Sequence, residues 1–271
     1  MTPAPTIFYF GNENGTPGTI LTFFPWQHVK KGHTGTGMAT EIGYSVPAGS
    51  LEFWEERFKS LGVSYSQKGE RFGEQYLPFT DPDGLDISLI DTGAKDSRAP
   101  WTTTEVTAAT ATRGFHNVTL TLDKVEPTAR ILTDIFGYRQ IAQEGNRYRF
   151  MTDAVNEAAI VDILETPDGQ PGLNAGGTNH HVAFRVANDA VQMEYREKIL
   201  SKGLHITPQI DRDYFHSLYF REPGGVLFEI ATDNPGFTID EPLASLGTQL
   251  RLPKQYEPMR AQIEKRLQPL K

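Results

Sequence analysis

Cysteine is absent from this 271-residue chain. Disulfides, thiolate nucleophiles and Cys-ligated zinc are excluded together, so any metal must be held by His, Asp, Glu, Asn or water. No run approaches the roughly 18–20 continuous apolar residues of a membrane span. Positive charge is also short: 26 Lys plus Arg stand against 34 Asp plus Glu, a net charge of −8. Gripping a phosphate backbone or an anionic membrane surface requires a basic face, so neither nucleic acid nor membrane is expected as a partner. The opening residues, MTPAP, have neither the basic start nor the apolar stretch of a secretory leader. The expected location is cytoplasmic.

What is present is repetition. Residues 41–46, 116–122 and 180–186 each alternate apolar and polar side chains, as half-buried strands do. Each is followed by an amphipathic helix, over 50–61, 125–136 and 190–200, with Ser50 and Asp189 as expected N-caps. Each helix closes on a glycine, Gly62, Gly137 or Gly203, the residue that most easily takes a left-handed cap. Two or three strands complete each unit. Two of the closing strands share an acidic-Pro-x-Gly turn, at Asp81 and at Glu222, leading into an apolar run; the third is residues 159–164. The repeat is therefore βαβββ, about 50–60 residues long.

Residues 7–10 and 19–24 read as two strands of a fourth, partial unit whose opening strand and helix are not in this sequence. The expected fold class is α+β: three complete modules and one partial, pairing into curved mixed-sheet half-barrels. The Thr-, Ala- and Ser-rich segment 92–113 reads as a linker. The expected division is thus 1–100 (partial plus one full module), 111–237 (two modules) and a 238–271 tail.

Seven histidines are present, and only His180 and His181 are adjacent. From a regular strand these two must point to opposite faces. His181 lies on an opening strand, and Glu229 lies 48 residues further on, on the closing strand of the same unit. In a curled sheet both can face one concave space. One imidazole and one carboxylate there make a fragment of the His–His–carboxylate facial set typical of non-haem Fe(II). On the residues alone, Arg212 reads as a loop charge, Tyr219 as a strand aromatic and His116 as structural. His216 stands between lining the site and simple exposure. Glu41 with Ser88, and Asn117 with Asp162, occupy the matching positions of the second and third units. They read as remnants of the same site, or as a second polar cavity.

The repeat, with His on an opening strand and Glu on a closing one, resembles the vicinal oxygen chelate superfamily of glyoxalase I, bleomycin-resistance proteins and extradiol dioxygenases. Four stretches, 15–26 (GTPGTILTFFPW), 178–184 (TNHHVAF), 223–233 (PGGVLFEIATD) and 252–258 (LPKQYEP), resemble its glyoxalase-like dioxygenases that open hydroquinone-type rings. The resemblance implies a ring-cleaving dioxygenase acting on hydroquinone- or catechol-type aromatics with O₂ and Fe(II), or Mn(II) as second choice. It assigns His181 and Glu229 as metal ligands, with Arg212 steadying a bound phenolate. Tyr219 stands near the metal-bound oxygen, His180 beside the ligand His, and His216 is a substrate-binding candidate. The family's other His lies on the opening strand of the first unit. His28 and His33 fall in a loop and do not replace it, so weakened metal binding and activity are expected. Either about 40–50 residues precede this sequence, by the repeat length, or the donor has been lost. Exposed strand edges would then favour a homo-oligomer. Two other readings are a metal-free aromatic-ligand binder of the bleomycin-resistance type and a glyoxalase-like isomerase or lyase.

Overall fold

The computed structural model describes residues 7–26, 28–94 and 96–267. In these residues the repeat is present. The partial unit is an antiparallel pair, β1 (Phe8–Phe10) and β2 (Leu21–Phe23). The second unit runs β3 (Met38–Val46), α1 (Leu51–Leu61), β4 (Gly69–Arg71), β5 (Glu74–Thr80) and β6 (Asp86–Asp91). The third is β7 (Gly114–Leu122), α2 (Glu126–Asp134), β8 (Arg139–Glu144), β9 (Arg147–Met151) and β10 (Ile160–Glu165). The fourth is β11 (Val182–Val186), α3 (Asp189–Ser201), β12 (Ile210–Asp211), β13 (Phe215–Arg221) and β14 (Leu227–Pro235). In every full unit the first and last strands pair in parallel: β3 with β6, β7 with β10, β11 with β14. A short helix, α4 (Arg260–Glu264), buries Ile263 in the tail. Among the described residues no helix is long and apolar enough to cross a membrane.

Local chemistry explains the element ends. Gly62 sits at φ 66° and its N–H returns to the carbonyls of Lys59 and Phe58, a left-handed cap that costs a residue without Cβ nothing. The acidic-Pro-x-Gly turns wrap around their own acid. Asp81 Oδ1 accepts from the backbone N–H groups of Asp83, Gly84 and Leu85. Glu222 accepts from Gly224, Val226 and the Thr128 hydroxyl of the neighbouring unit. The N-cap expected at Asp189 falls one residue earlier. Asn188 is the extended residue whose side chain accepts from Val191 N–H at 3.1 Å, while Asp189 begins the helix.

The expected pairing of units is corrected. Strands β3 and β7 run antiparallel side by side, joining the second and third units into one eight-stranded sheet of order β4-β5-β6-β3-β7-β10-β9-β8. The segment around 101–110 therefore connects two strands of a single sheet. The third and fourth units meet on their helix-covered sides. Leu120, Leu132, Phe150 and Ile163 of the third and Leu218, Phe228 and Ile230 of the fourth belong to one apolar cluster, with Phe136 stacked on Phe184 at 4.3 Å between ring centres. The partial unit lies against the fourth through Tyr9, whose ring meets those of Tyr214, Phe215 and Phe237. Each βαβββ segment dictates its own strands, but strand edges and apolar faces choose partners by complementarity that a repeat cannot reveal.

The β3–β7 seam is tight. A Cβ on Gly43 would lie 1.9 Å from Asn117 Oδ1 and 2.6 Å from Ile90 Cδ1, and Asn117 is tied to Asp162 by a 2.7 Å hydrogen bond. Gly43→Ala is expected to destabilise the chain by about 1–3 kcal/mol, the usual cost of overpacking, with partial recovery in Gly43→Ala/Asn117→Ala. Urea unfolding of the native chain and the two variants reads this directly; an unchanged midpoint for Gly43→Ala would refute the steric account. Next to the seam, Glu74 joins His116 at 3.1 Å and Arg149. Burial pushes the Glu74 carboxyl up, but the bonds from His116 and Arg149 outweigh it and hold it below its usual 4.5. A depressed carboxylate stabilises the fold above its unfolded pKa, and that stability is lost as pH falls through the folded value. The stability gap between the native chain and Glu74→Gln is therefore expected to be largest near neutrality and to narrow below about pH 4.

Candidate active site

Strand alternation builds the site. On β13 and β14, Leu218, Phe228 and Ile230 are fully buried in the core shared with the third unit. Their neighbours Ser217, Tyr219 and Glu229 must then face the opposite, concave side. Tyr219 is the direct cross-strand partner of Glu229. On β11, Val182, Phe184 and Val186 pack toward the core, which turns His181 and Ala183 the other way, and Ala183 lies beside Glu229 in the parallel register. The result is a convergence on one carboxylate. His181 Nε2 lies 2.7 Å from Glu229 Oε2. The Tyr219 hydroxyl donates to Glu229 Oε1 at 2.9 Å, and Ser217 Oγ donates to the same oxygen. Arg212, presented by the turn between β12 and β13, holds its guanidinium 5.4 Å from the Tyr219 ring centre and donates to the Tyr219 oxygen at 3.5 Å.

Glu229 is only 3% exposed. Burial pushes its carboxyl up, but the hydrogen bonds from His181, Ser217 and Tyr219 bring it below its usual range, so the group is a carboxylate at neutral pH. Burial and the adjacent Glu229 charge raise the Tyr219 phenol, which therefore keeps its proton. Burial first, and then Glu229, push Tyr9 up to about 12.

His180 stands in the same cleft. Regular alternation separates it from His181, but β11 begins only at Val182, so both imidazoles precede the strand and reach one space. Their Nδ1 atoms are 2.8 Å apart. Burial and then the neighbouring His181 lower the His180 pKa. A cavity of about 90 Å³ lies against both rings and Asn174, Asn179 and Arg221. The aromatic side of the cleft comes from the partial unit, which sequence reasoning did not single out. Phe24 and Trp26 stack at 5.4 Å between centres, and both meet His180 edge-on. Tyr9 sits among Glu229, Tyr219 and Arg212. The available indication for Tyr9 is alternation: Phe8 and Phe10 pack together and with Phe23, which turns Tyr9 to the other face of β1.

His216 does not join the site. It lies three residues before Tyr219, an odd spacing that puts it on the helix-facing side. There its ring contacts Asp189 of α3 at 2.5 Å, and its N–H donates to Thr232 Oγ1. Its expected substrate role is corrected accordingly. His33 forms an isolated bridge with Leu173, and His28, five residues earlier, lies in a turn; neither is carried by a strand of the sheets. His116 is engaged with Glu74 in the eight-stranded sheet. In the second unit Glu41 is held by Arg71 at 2.7 Å and by the Ser88 hydroxyl. In the third, Asp162 is held by Arg149 and Asn117.

As metal donors, an imidazole nitrogen and a carboxylate oxygen are right in kind for Fe(II) or Mn(II). They are one short in number. Among the described residues no group of three His, Asp or Glu gathers around a common point, so His181 and Glu229 by themselves do not complete a facial set.

Residues 114–230 match the family model of the glyoxalase/bleomycin resistance protein/dioxygenase superfamily. The chain is 44% identical over 263 residues to a Bacillus subtilis (strain 168) protein named "Putative ring-cleaving dioxygenase MhqO", covering 96% of this chain and 82% of that one. It is 36% identical to the chlorohydroquinone/hydroquinone 1,2-dioxygenase of Sphingobium indicum (strain UT26S), over 92% of this chain and 79% of the relative. A crystal structure described as a putative dioxygenase from Bacillus subtilis superposes with a TM-score of 0.94 at 42% identity, over 99% of this chain and 86% of that one. This chain belongs to the glyoxalase/bleomycin resistance protein/dioxygenase superfamily.

Removing either hydroxyl from Glu229 leaves a buried carboxylate with fewer donors. Ser217→Ala and Tyr219→Phe are each expected to lower stability at neutral pH by about 1–3 kcal/mol. The double variant should lose more than the sum, because both hydroxyls serve one oxygen and each partly covers for the loss of the other. A double-mutant cycle by urea unfolding checks this, and strict additivity would show that the two bonds act separately.

Proposed function

We propose that this chain is a ring-cleaving dioxygenase of the cytoplasm that opens hydroquinone- or catechol-type rings with O₂, with Fe(II) as its metal and Mn(II) as second choice. The observation that carries the reading is the convergence of His181, Ser217 and Tyr219 on the buried Glu229 carboxylate, next to the Phe24–Trp26 stack. Its support comes from relatives 34–44% identical whose names are those of ring-cleaving and hydroquinone dioxygenases. His181 and Glu229 are read as two of the metal ligands.

The protein's own groups have separable tasks. Phe24 and Trp26 offer flat apolar surfaces against which an aromatic ring stacks. The Arg212 guanidinium supplies positive charge where a ring hydroxyl becomes anionic, an interaction strengthened by the low dielectric of a closed cleft. Tyr219, kept protonated beside Glu229, is the donor that can give or share a proton with a substrate oxygen. His180 acts through His181, fixing which ring nitrogen carries the proton and so the orientation of the Nε2 that faces Glu229.

Two donors should hold Fe(II) weakly. Changes in outer partners alone cost 10–100-fold in metal affinity, and a missing ligand costs at least as much. The test is anaerobic addition of Fe(II) to the purified chain, followed by O₂ uptake with hydroquinone and catechol. Uptake is expected to require added metal, to vanish in His181→Ala and Glu229→Gln, and to lose about 10²-fold in kcat/KM in Arg212→Met. Hydroquinone binding without O₂ consumption under saturating Fe(II) or Mn(II) would overturn the reading in favour of a ligand-binding protein. Uptake indifferent to His181→Ala would remove that residue from the chemistry.

A further inference from the structure

The concave side of the eight-stranded sheet holds a second cavity, of about 220 Å³, between the second and third units. Its floor is made by Ser88 and Thr119, both essentially buried, and its rim by the exposed Ser64 and Ser66. Glu41 and Ser88 stand here where His181 and Glu229 stand in the fourth unit. Glu41 is already committed to Arg71 and to the Ser88 hydroxyl, so this cup is closed to the chemistry of the other one.

Two charges in it are uncommitted. Arg147 lines the cavity and has five side-chain N–H donors, of which one is used, toward Thr119 Oγ1 at 3.0 Å. No carboxylate among the described residues lies within ion-pair distance of it, whereas its neighbours Arg71 and Arg149 are both paired. Burial, and then the nearby Arg71, press its pKa downward, the mark of a guanidinium short of negative charge. Asp86 lines the same cavity, also without an ion pair among the described residues. Burial, then Glu41 and Asp81, raise its carboxyl. Apolar surface in the same cavity comes from Pro78 on β5, across from Ser88, and from Leu164 on β10, across from Arg147.

We propose that this cavity is a binding site for a small aromatic hydroxy-carboxylate, separate from the site at Glu229. The guanidinium fork of Arg147 takes the carboxylate through paired N–H donors, the geometry in which Arg and carboxylate fit best. Pro78 and Leu164 flank the ring. Asp86 and the rim hydroxyls take the hydroxyl at the far end. The size is suitable: a dry cavity of about 150 Å³ admits benzene, and this one is larger and has polar as well as apolar residues in its lining.

The test is isothermal titration of the full chain with 4-hydroxybenzoate, benzoate, phenol and inorganic phosphate. Saturable binding that depends on Arg147 is expected for 4-hydroxybenzoate and, more weakly, for benzoate; phenol, which lacks the carboxylate and can enter the cleft at Glu229, is expected to show no dependence on Arg147. Arg147→Met should weaken 4-hydroxybenzoate about tenfold or more, the loss of a bidentate charged contact, and Arg147→Lys should fall between. His181→Ala and Glu229→Gln should leave the affinity unchanged. A localisation that needs no variant comes from hydrogen exchange of the native chain, where ligand should protect 86–91 and 147–151 and leave 227–235 unaffected. The proposal fails if neither acid binds, if phosphate binds as tightly as 4-hydroxybenzoate, if Arg147→Met folds and binds normally, or if His181→Ala abolishes binding.

Discussion

Everything at the candidate site follows from the burial of one face of β13 and β14. Leu218, Phe228 and Ile230 are committed to the core between the third and fourth units, and strand alternation then leaves Ser217, Tyr219 and Glu229 no choice of direction. A carboxylate turned into so closed a space is unfavourable by itself. Three donors, from an imidazole, a phenol and an alcohol, make it tolerable. The same arrangement that solves a problem of burial creates a directed, charged, partly dry centre. A group with no apolar neighbours would need no such company and would carry no such reactivity.

The other full units meet the same demand differently. In the third unit, Asp162 stands at the Glu229 position and is fully buried, and there Arg149 and Asn117 supply the hydrogen bonds. In the second unit the closing-strand position has become Ser88, and the charge has moved to the opening strand as Glu41, answered by Arg71. Ion pairs within the unit occupy both positions. A guanidinium saturates a carboxylate with fixed, planar donors, whereas an imidazole beside a carboxylate leaves lone pairs that can still be used. One backbone repeat thus carries two kinds of interior, and the difference lies in which cation answers the acid.

Much of this was legible in the sequence because it is local. The βαβββ order, the glycine caps and the acidic turns each depend on residues a few positions apart. The spacing of ten between Tyr219 and Glu229 fits a tight hairpin, and the register confirms the pair. The odd spacing of His216 from Tyr219 puts it on the opposite face, a signal that its reading as a substrate-binding candidate passed over. Other features depend on contacts that a repeat cannot express. The seam between β3 and β7 rests on a glycine that admits the Asn117 side chain. The joint arrival of His180 and His181 depends on where β11 starts. Tyr9, Phe24 and Trp26 are assigned to the cleft only once the partial unit is known to lie on the fourth.

That last contact divides the site between the two ends of the chain. The charged centre belongs to the fourth unit, and its aromatic side to the partial unit some 150 residues earlier. What joins them is mainly edge-to-face packing of Tyr9 on Tyr214, Phe215 and Phe237, and of Phe24 on His180, with Phe24 tilted against His181. Each such pair adds about 0.5–1.5 kcal/mol beyond its burial, while the two-stranded sheet of β1 and β2 is too small to be stable alone. The partial unit therefore holds its shape because it is docked. Loosening of this seam opens the cleft to water without disturbing the core behind β13 and β14, since that core is closed by the third unit. A cleft closed on one side by a few aromatic pairs is the kind of region from which access for a substrate is drawn, while the core behind it does not have to move.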